Sequence, residues 1–289
     1  MFKELIFFIK MDGNYDTIVL SGGSVKGLLT IGALQYAYDN YLLSDIKIYI
    51  GTSVGAMLNF LLIIGYTPIE IMIYLCTNQL IEKLQHFNIV AMINGSGALS
   101  FSSIYEHVEK MTIDKIGFLP TIQDLKDKFG KEFICVTYNL TESKVEYISY
   151  ENNPQLPCLI AIKMSSNLPL IFENFKYGNN FYIDGGVSDN FAIDVGISKG
   201  NKIIGIYLEE EEKNFNDNKD INIIEFIHKL MFIPISQSMK YKIDNAMMDK
   251  KCKIIKLKVN NTSTLSFNIS SVDKLELFSS GYQQIKNYF

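Results

Sequence analysis

The sequence predicts a three-layer α/β/α fold around a mainly parallel sheet. Two observations carry that prediction. Short apolar and β-branched runs alternate with stretches of helical spacing from Asp16 to Leu208, the order that builds βαβ units with helices on both faces. Two successive strand-to-helix junctions are also glycine-rich turns, and strand–turn–helix units in a parallel sheet bring such turns to one end of it.

Strands are expected near 17–21, 46–50, 132–139, 144–149, 180–184 and 202–208. The stretch from Leu28 to Leu43 places Leu28, Ile31, Leu34, Gln35, Tyr38 and Leu42 three and four residues apart, which is helical periodicity. A further helix starts at Ala56, and Ile69–Lys83 and Ser102–Met111 also read as helices. Phe87–Leu99 mixes large apolar residues with a Gly-Ser break and fits either a cap near a site or an ordinary core loop. Glu209–Asn218 is acidic and Asn-rich, a solvated loop. After it come a helical pattern from Ile221 to about Lys250, a strand Lys253–Val259 and a closing helix Val272–Tyr288. The expectation is a single domain over residues 1–289, with 209–289 as a C-terminal extension packed on it.

Length and composition set the frame. A chain of 289 residues supports one large α/β domain with a substantial core. The net charge is −4 and the lysines are scattered, so no nucleic-acid footprint is visible. All 27 basic residues are lysine, and without arginine there is no bidentate fork for phosphate. Cys76, Cys135, Cys158 and Cys252 include no closely spaced pair. They read as reduced core thiols rather than disulfide or metal ligands, and no metal or cofactor is expected. The opening segment Met1–Lys10 has too short an apolar core for a signal peptide and carries Glu4, and no stretch reaches transmembrane length. A cytoplasmic protein, touching membranes at most peripherally, is the expectation.

Three motifs carry chemistry. Gly51-Thr52-Ser53-Val54-Gly55 is a Gly-x-Ser-x-Gly turn between an apolar strand and a helix. A serine at the apex of such a turn adopts a strained backbone that exposes its hydroxyl, and the flanking Gly51 and Gly55 let strand and helix approach without Cβ clashes. The helix that follows adds its positive end beneath developing negative charge. Ser53 is therefore the candidate nucleophile, against the plainer reading of a glycine-rich turn. Upstream, Gly22-Gly23-Ser24-Val25-Lys26-Gly27 links a strand to a helix N-terminus and presents backbone N–H groups to an anion. A P-loop would need lysine after Gly27, where Leu28 stands. A dinucleotide fingerprint fails at Ser24, and no acidic residue follows near Tyr49 to hold a ribose. An oxyanion hole for Ser53, built on the N–H groups of Gly22, Gly23 and Ser24, fits better. Downstream, Asp184-Gly185-Gly186 closes the strand Phe181-Tyr182-Ile183, so its carboxylate would stand at the sheet rim. An Asp-Gly hairpin turn is the plainer alternative there.

The chain resembles the patatin-like phospholipase family, whose pattern is Gly-Gly-Gly-x-[Lys/Arg]-Gly, then Gly-x-Ser-x-Gly, then Asp-Gly-[Gly/Ala]. Met164–Phe172 is similar to the family's Ala-Ser-x-x-x-Pro-x-x-Phe block, Asn190 falls where an Asn often follows the aspartate turn, and Phe133–Asn139 resembles its central strand. The resemblance covers about residues 17–198. It departs from the pattern at Ser24, where the family has glycine, and at Ala192, where proline is frequent. It implies a lipid acyl hydrolase, phospholipase A-type, in which Ser53 attacks the acyl carbonyl and Asp184 takes its proton and later activates water. A phospholipid or other acyl-ester lipid would be the substrate, met transiently at a membrane surface. Lys26 and Gly27 complete the first motif, the lysine either packing and pairing at the loop or meeting a headgroup. Leu170, Ile171 and Phe172 would either line an acyl pocket or belong to the core.

Other readings stay open. A Ser–His–Asp triad would draw on His228, the order Ser53, Asp184, His228 being that of an α/β-hydrolase. Too few strands precede Ser53 for that fold, and His228 lies in a helical stretch without a loop signal. A catalytically impaired relative that binds lipid or a protein partner is motivated by Ser24. A nucleotide-binding protein using Gly22–Gly27 is the remaining alternative.

Overall fold

A computed structural model describes residues 15–78, 99–210, 223–259 and 269–289. Eight strands form one sheet: β1 Thr17–Leu20, β2 Ile48–Thr52, β3 Glu132–Asn139, β4 Lys144–Ile148, β5 Phe175–Tyr177, β6 Asn180–Asp184, β7 Ile203–Glu210 and β8 Cys252–Val259. The α-helices among the described residues are α1 Gly27–Asp39, α2 Val54–Ile63, α3 Pro68–Thr77, α4 Ser102–Ile116, α5 Ile122–Phe129, α6 Cys158–Ser166, α7 Ile193–Lys199, α8 Ile223–Met248 and α9 Ser271–Ile285.

The sheet runs β5-β6-β3-β2-β1-β7-β8, with β4 also on β3. Pairs β3/β2, β2/β1, β1/β7 and β7/β8 are parallel, and β4, β6 and β5 join antiparallel. Side chains alternate between its faces, as the pleat requires. Ile18, Leu20, Phe133, Cys135, Ile204 and Ile206 enter a large cluster with residues of α1 to α6 and α9. Val19, Ile50, Ile134, Val136, Ile203 and Tyr207 enter a smaller one with Ile193 of α7 and Ile243 and Ala246 of α8. Helices thus cover both faces, giving the expected three layers.

Register around β3 positions the site. β2 pairs with residues Glu132 to Val136 of β3, β4 with Cys135 to Asn139, and β6 with Thr137 to Asn139. A strand has only two hydrogen-bonding edges. Because β4 overlaps both neighbours, β2 and β6 must share the opposite edge. They run toward each other along it: Thr52 lies opposite Val136 and Asp184 opposite Thr137. The end of the Ser53 strand and the end of the Asp184 strand therefore meet head to head.

Most expected elements exist with shifted bounds. The second strand ends at Thr52, two residues later than expected, so Ser53 follows it directly. The first helix stops at Asp39, and α4 runs on to Ile116. The helix expected over Ile69–Lys83 ends at Thr77 within the described residues, and the rest of it lies outside them, as do most of Phe87–Leu99 and of the acidic loop. Helices α5, α6 and α7 and strand β5 were not expected. Among the described residues no single helix is long and apolar enough to cross a membrane. Among those residues one helix pair, α2 and α3, has the length and apolarity together, and it bends by 118° between them.

Candidate active site

The nucleophile candidate sits where the strand meets the helix. Ser53 caps α2 with φ 54° and ψ −125°, a sparsely populated conformation for any residue with a Cβ. Packing holds it there. The carbonyl of Ser53 accepts the N–H groups of Ala56 and Met57 at 3.0 and 3.1 Å, and its own N–H donates to Ser165 Oγ at 2.8 Å. A Cβ on Gly55 would lie 2.5 Å from the Leu20 carbonyl oxygen, so only glycine lets α2 start this close to β1. Ser53 stays half-buried rather than enclosed, with the positive end of a ten-residue helix directly behind it.

Asp184 meets it as the sheet register requires. The carboxylate is buried, lies near enough to the Ser53 hydroxyl for that group to lower its pKa, and accepts the Gly186 N–H at 2.7 Å. Burial raises its pKa from 3.8 to about 6, and those two donors hold it from rising further. Its backbone is fixed as well. Asp184 N–H donates to the Asn167 carbonyl at 2.9 Å. Thr137 Oγ1 lies 3.0 Å from the carbonyl oxygens of both Ile183 and Met164, tying β3 to β6 and α6. Gly185 and Gly186 form a 3₁₀ turn beyond the strand.

The Gly22–Gly27 loop closes the third side. A Cβ on Gly22 would come within 3.2 Å of Ser53 Cβ and 2.5 Å of Asn190 Oδ1, so the loop lies against the elbow. Gly22, expected among the anion donors, instead gives its N–H to the Asn190 carbonyl at 3.2 Å. Among the described residues the N–H groups of Gly23 and Ser24 have no such acceptor. Ser24 has φ 52°, so serine occupies a left-handed position where glycine would be unstrained. Lys26 is buried at the end of the 3₁₀ turn Ser24–Lys26, and Gly27 opens α1 with its Cα side against Val54. Gly51 lies in β2 against the backbone of Gly55 and Ala56.

Several neighbours carried no individual sequence signal. Ser165 is buried and anchors the Ser53 amide. Cys135, also buried, donates its thiol to the Ala161 carbonyl at 3.3 Å, and burial pushes that thiol up to about 12, so it stays neutral. Ile171 and Phe172 lie in the large core cluster, whereas Leu170 is partly exposed at φ 69°. Among the histidines, His107 meets the Tyr74 hydroxyl at 2.9 Å. His86 and the His228 side chain lie outside the described residues.

A serine on a strand-to-helix elbow, a buried carboxylate beside it and a glycine-rich loop thus meet at the ends of strands in one largely parallel sheet. The family model for patatin-like phospholipases matches residues 18–197, and this chain belongs to that family. It is 33% identical over 275 residues to the probable lipid hydrolase 463L of Invertebrate iridescent virus 6, covering 93% of this chain and 87% of that protein. It is also 27% identical to the uncharacterized protein R571 of Acanthamoeba polyphaga mimivirus, over 93% of this chain and 92% of the other. In fold it resembles VipD from Legionella pneumophila, with TM-score 0.51, 14% identity and 95% of this chain covered. A chain in the crystal structure of full-length SpcU in complex with full-length ExoU from Pseudomonas aeruginosa gives TM-score 0.51 and 13% identity, with 96% covered. The chain spans 66% of that VipD chain and 52% of the other.

Proposed function

We propose that this member of a lipid hydrolase family cleaves fatty-acyl esters of phospholipids or related lipids, with Ser53 and Asp184 as a catalytic pair. The observation that carries the proposal is the Ser53 hydroxyl set beside a buried carboxylate whose proton affinity burial has raised. In water a carboxylate is a poor base for an alcohol, but burial raises its affinity for the proton toward the useful range. Ser53 Oγ attacks the acyl carbonyl as its proton passes to Asp184. The carbonyl electrons move onto oxygen and are held by the N–H groups of Gly23 and Ser24, with α2's positive end behind the elbow. Collapse expels the alcohol, which takes the proton from Asp184. Water then attacks the acyl-serine, Asp184 accepting its proton and returning one to Ser53 as the fatty acid leaves. No histidine is needed in this sequence of steps, because the carboxylate beside the serine takes the proton itself.

The reading of an impaired, lipid-binding relative rested on Ser24. Its N–H group persists in the loop, so the substitution alone does not favour that reading. Incubation with phosphatidylcholine vesicles, followed by mass spectrometry of free fatty acid and lysolipid, tests the proposal. Release should exceed that from Ser53→Ala by at least about a thousandfold. Equal release from the two would contradict it. His228→Ala should keep most of the activity, and a folded but inactive His228→Ala protein would restore the triad.

A further inference from the structure

The hydrolytic steps leave one buried ionic cluster unused. The Asp189 side chain is 5% exposed and accepts hydrogen bonds from the Tyr147 hydroxyl and the Lys242 ammonium, each at 2.8 Å. Lys242 belongs to α8, beyond the residues that the family model matches. It also lies 3.0 Å from Asp194, whose side chain is 54% exposed. An exposed pair is well screened, so the contact with Asp189 is the consequential one.

The backbone around Asp189 reaches every part of the site. Its N–H donates to the Gly185 carbonyl at 2.8 Å, on the turn that follows the acid. Its carbonyl accepts the Thr52 hydroxyl at 3.0 Å, one residue before the nucleophile. The next carbonyl, of Asn190, accepts the Gly22 N–H, and Asn190 Oδ1 lies against both Gly22 and Gly186. One dipeptide therefore bridges the elbow, the aspartate turn and the loop of anion donors.

We propose that Lys242 is a positioning residue: by clamping the Asp189 carboxylate it fixes the Asp189–Asn190 backbone, and through it the mutual placement of Ser53, Asp184 and the donor loop. This rests on the catalytic reading above. A buried carboxylate stripped of its cation must find other partners or move, and it would carry this dipeptide with it. Displacements near 1 Å at reacting groups are enough to slow a reaction about a hundredfold. The C-terminal segment is then an integral part of the catalytic apparatus.

The test is steady-state hydrolysis of a soluble short-chain ester by wild type, Ser53→Ala, Lys242→Met, Lys242→Arg and Asp194→Asn, with the inactivation rate by a fluorophosphonate measured alongside. Lys242→Met should lower kcat and the inactivation rate by about ten- to a hundredfold while KM stays within about threefold. Lys242→Arg should recover most of that loss, and Asp194→Asn should stay within about twofold of wild type. A folded Lys242→Met with wild-type kcat, a loss confined to KM, or an arginine variant as slow as the methionine one would each overturn the proposal. If Lys242→Met does not fold, Asp189→Asn takes its place, since it keeps the Tyr147 contact and removes the charge. The same fall in kcat is expected from it, and an unchanged kcat overturns the clamp. A wild-type rate no higher than that of Ser53→Ala overturns the hydrolase reading and this proposal with it. Activity that depends on Ser53 but not on Lys242 overturns only the clamp.

Discussion

Ser53 and Ser24 share nearly the same φ, 54° and 52°, and each opens a helical turn after a strand of one sheet. Their surroundings separate them. Ser53 is bonded through its N–H to Ser165 and through its carbonyl to Ala56 and Met57, and its hydroxyl stands beside the Asp184 carboxylate. Its conformation is over-determined by the surrounding fold. Ser24 begins a three-residue 3₁₀ turn with no side-chain cap, at a position where the family pattern has glycine. Strain held by many bonds is a conformation that the surrounding fold enforces. Strain held by few is a local cost that one substitution can remove.

The largest effect should come from the reacting pair. Asp184→Asn is expected to reduce ester hydrolysis by at least about a thousandfold, because the amide cannot take the serine proton. Its stability should move the other way. The folded pKa of Asp184 lies near 6, above the 3.8 of an exposed carboxyl. The protonated form is thus the one that folding favours, and its stabilisation is complete below about pH 4 and lost as pH rises toward 6. At pH 8 the ionised group costs roughly 3 kcal/mol, so Asp184→Asn should melt higher than wild type there and nearly level with it at pH 4. Equal shifts at both pH values would argue against a buried, raised carboxyl. In the wild type, kcat/KM should climb as pH passes through about 6 and level off above it. A limb centred near 4 would contradict the burial argument.

Ser165→Ala should come next. It leaves the Ser53 N–H without its acceptor in a buried setting, a loss of about 1–3 kcal/mol in stability, and kcat should fall about tenfold or more as the elbow relaxes. Thermal melting and turnover measured together check this. A fully active, equally stable variant would show that the elbow is held without Ser165.

Ser24→Gly should have the smallest effect. Removing Cβ from a left-handed position gains about 1 kcal/mol, partly offset by the greater freedom of glycine in the unfolded chain. Turnover should be unchanged or up to severalfold higher. A large loss of rate at unchanged stability would show instead that the Ser24 hydroxyl orders the loop or meets the substrate.

The three motifs were legible because each depends on residues adjacent in sequence: glycines where backbones approach closely, and strand formers just before the turn. The groups that support them were not. Ser165 reaches Ser53 across 112 residues, and the Asp189 carbonyl meets Thr52 across 137. No local pattern encodes such pairings, although Ser165 does lie in the Met164–Phe172 block that resembled the family. The Gly22 N–H looked free in sequence and is engaged only because Asn190 folds back onto it. Helix α6, Cys-Leu-Ile-Ala-Ile-Lys-Met-Ser-Ser, is apolar on nearly every side and shows no amphipathic period to read. Helix α5 did carry a signal, a reciprocal cap between Thr121 and Asp124, which is short enough to pass for a turn.

The central claim is that the Ser53 hydroxyl is activated by Asp184. It is tested most directly by treating the protein with a fluorophosphonate and locating the adduct by peptide mass spectrometry. A single modification on Ser53 is expected in the wild type, with labelling slowed by at least about a hundredfold in Asp184→Asn. Absence of an adduct on Ser53, or labelling at the same rate in Asp184→Asn, would contradict it.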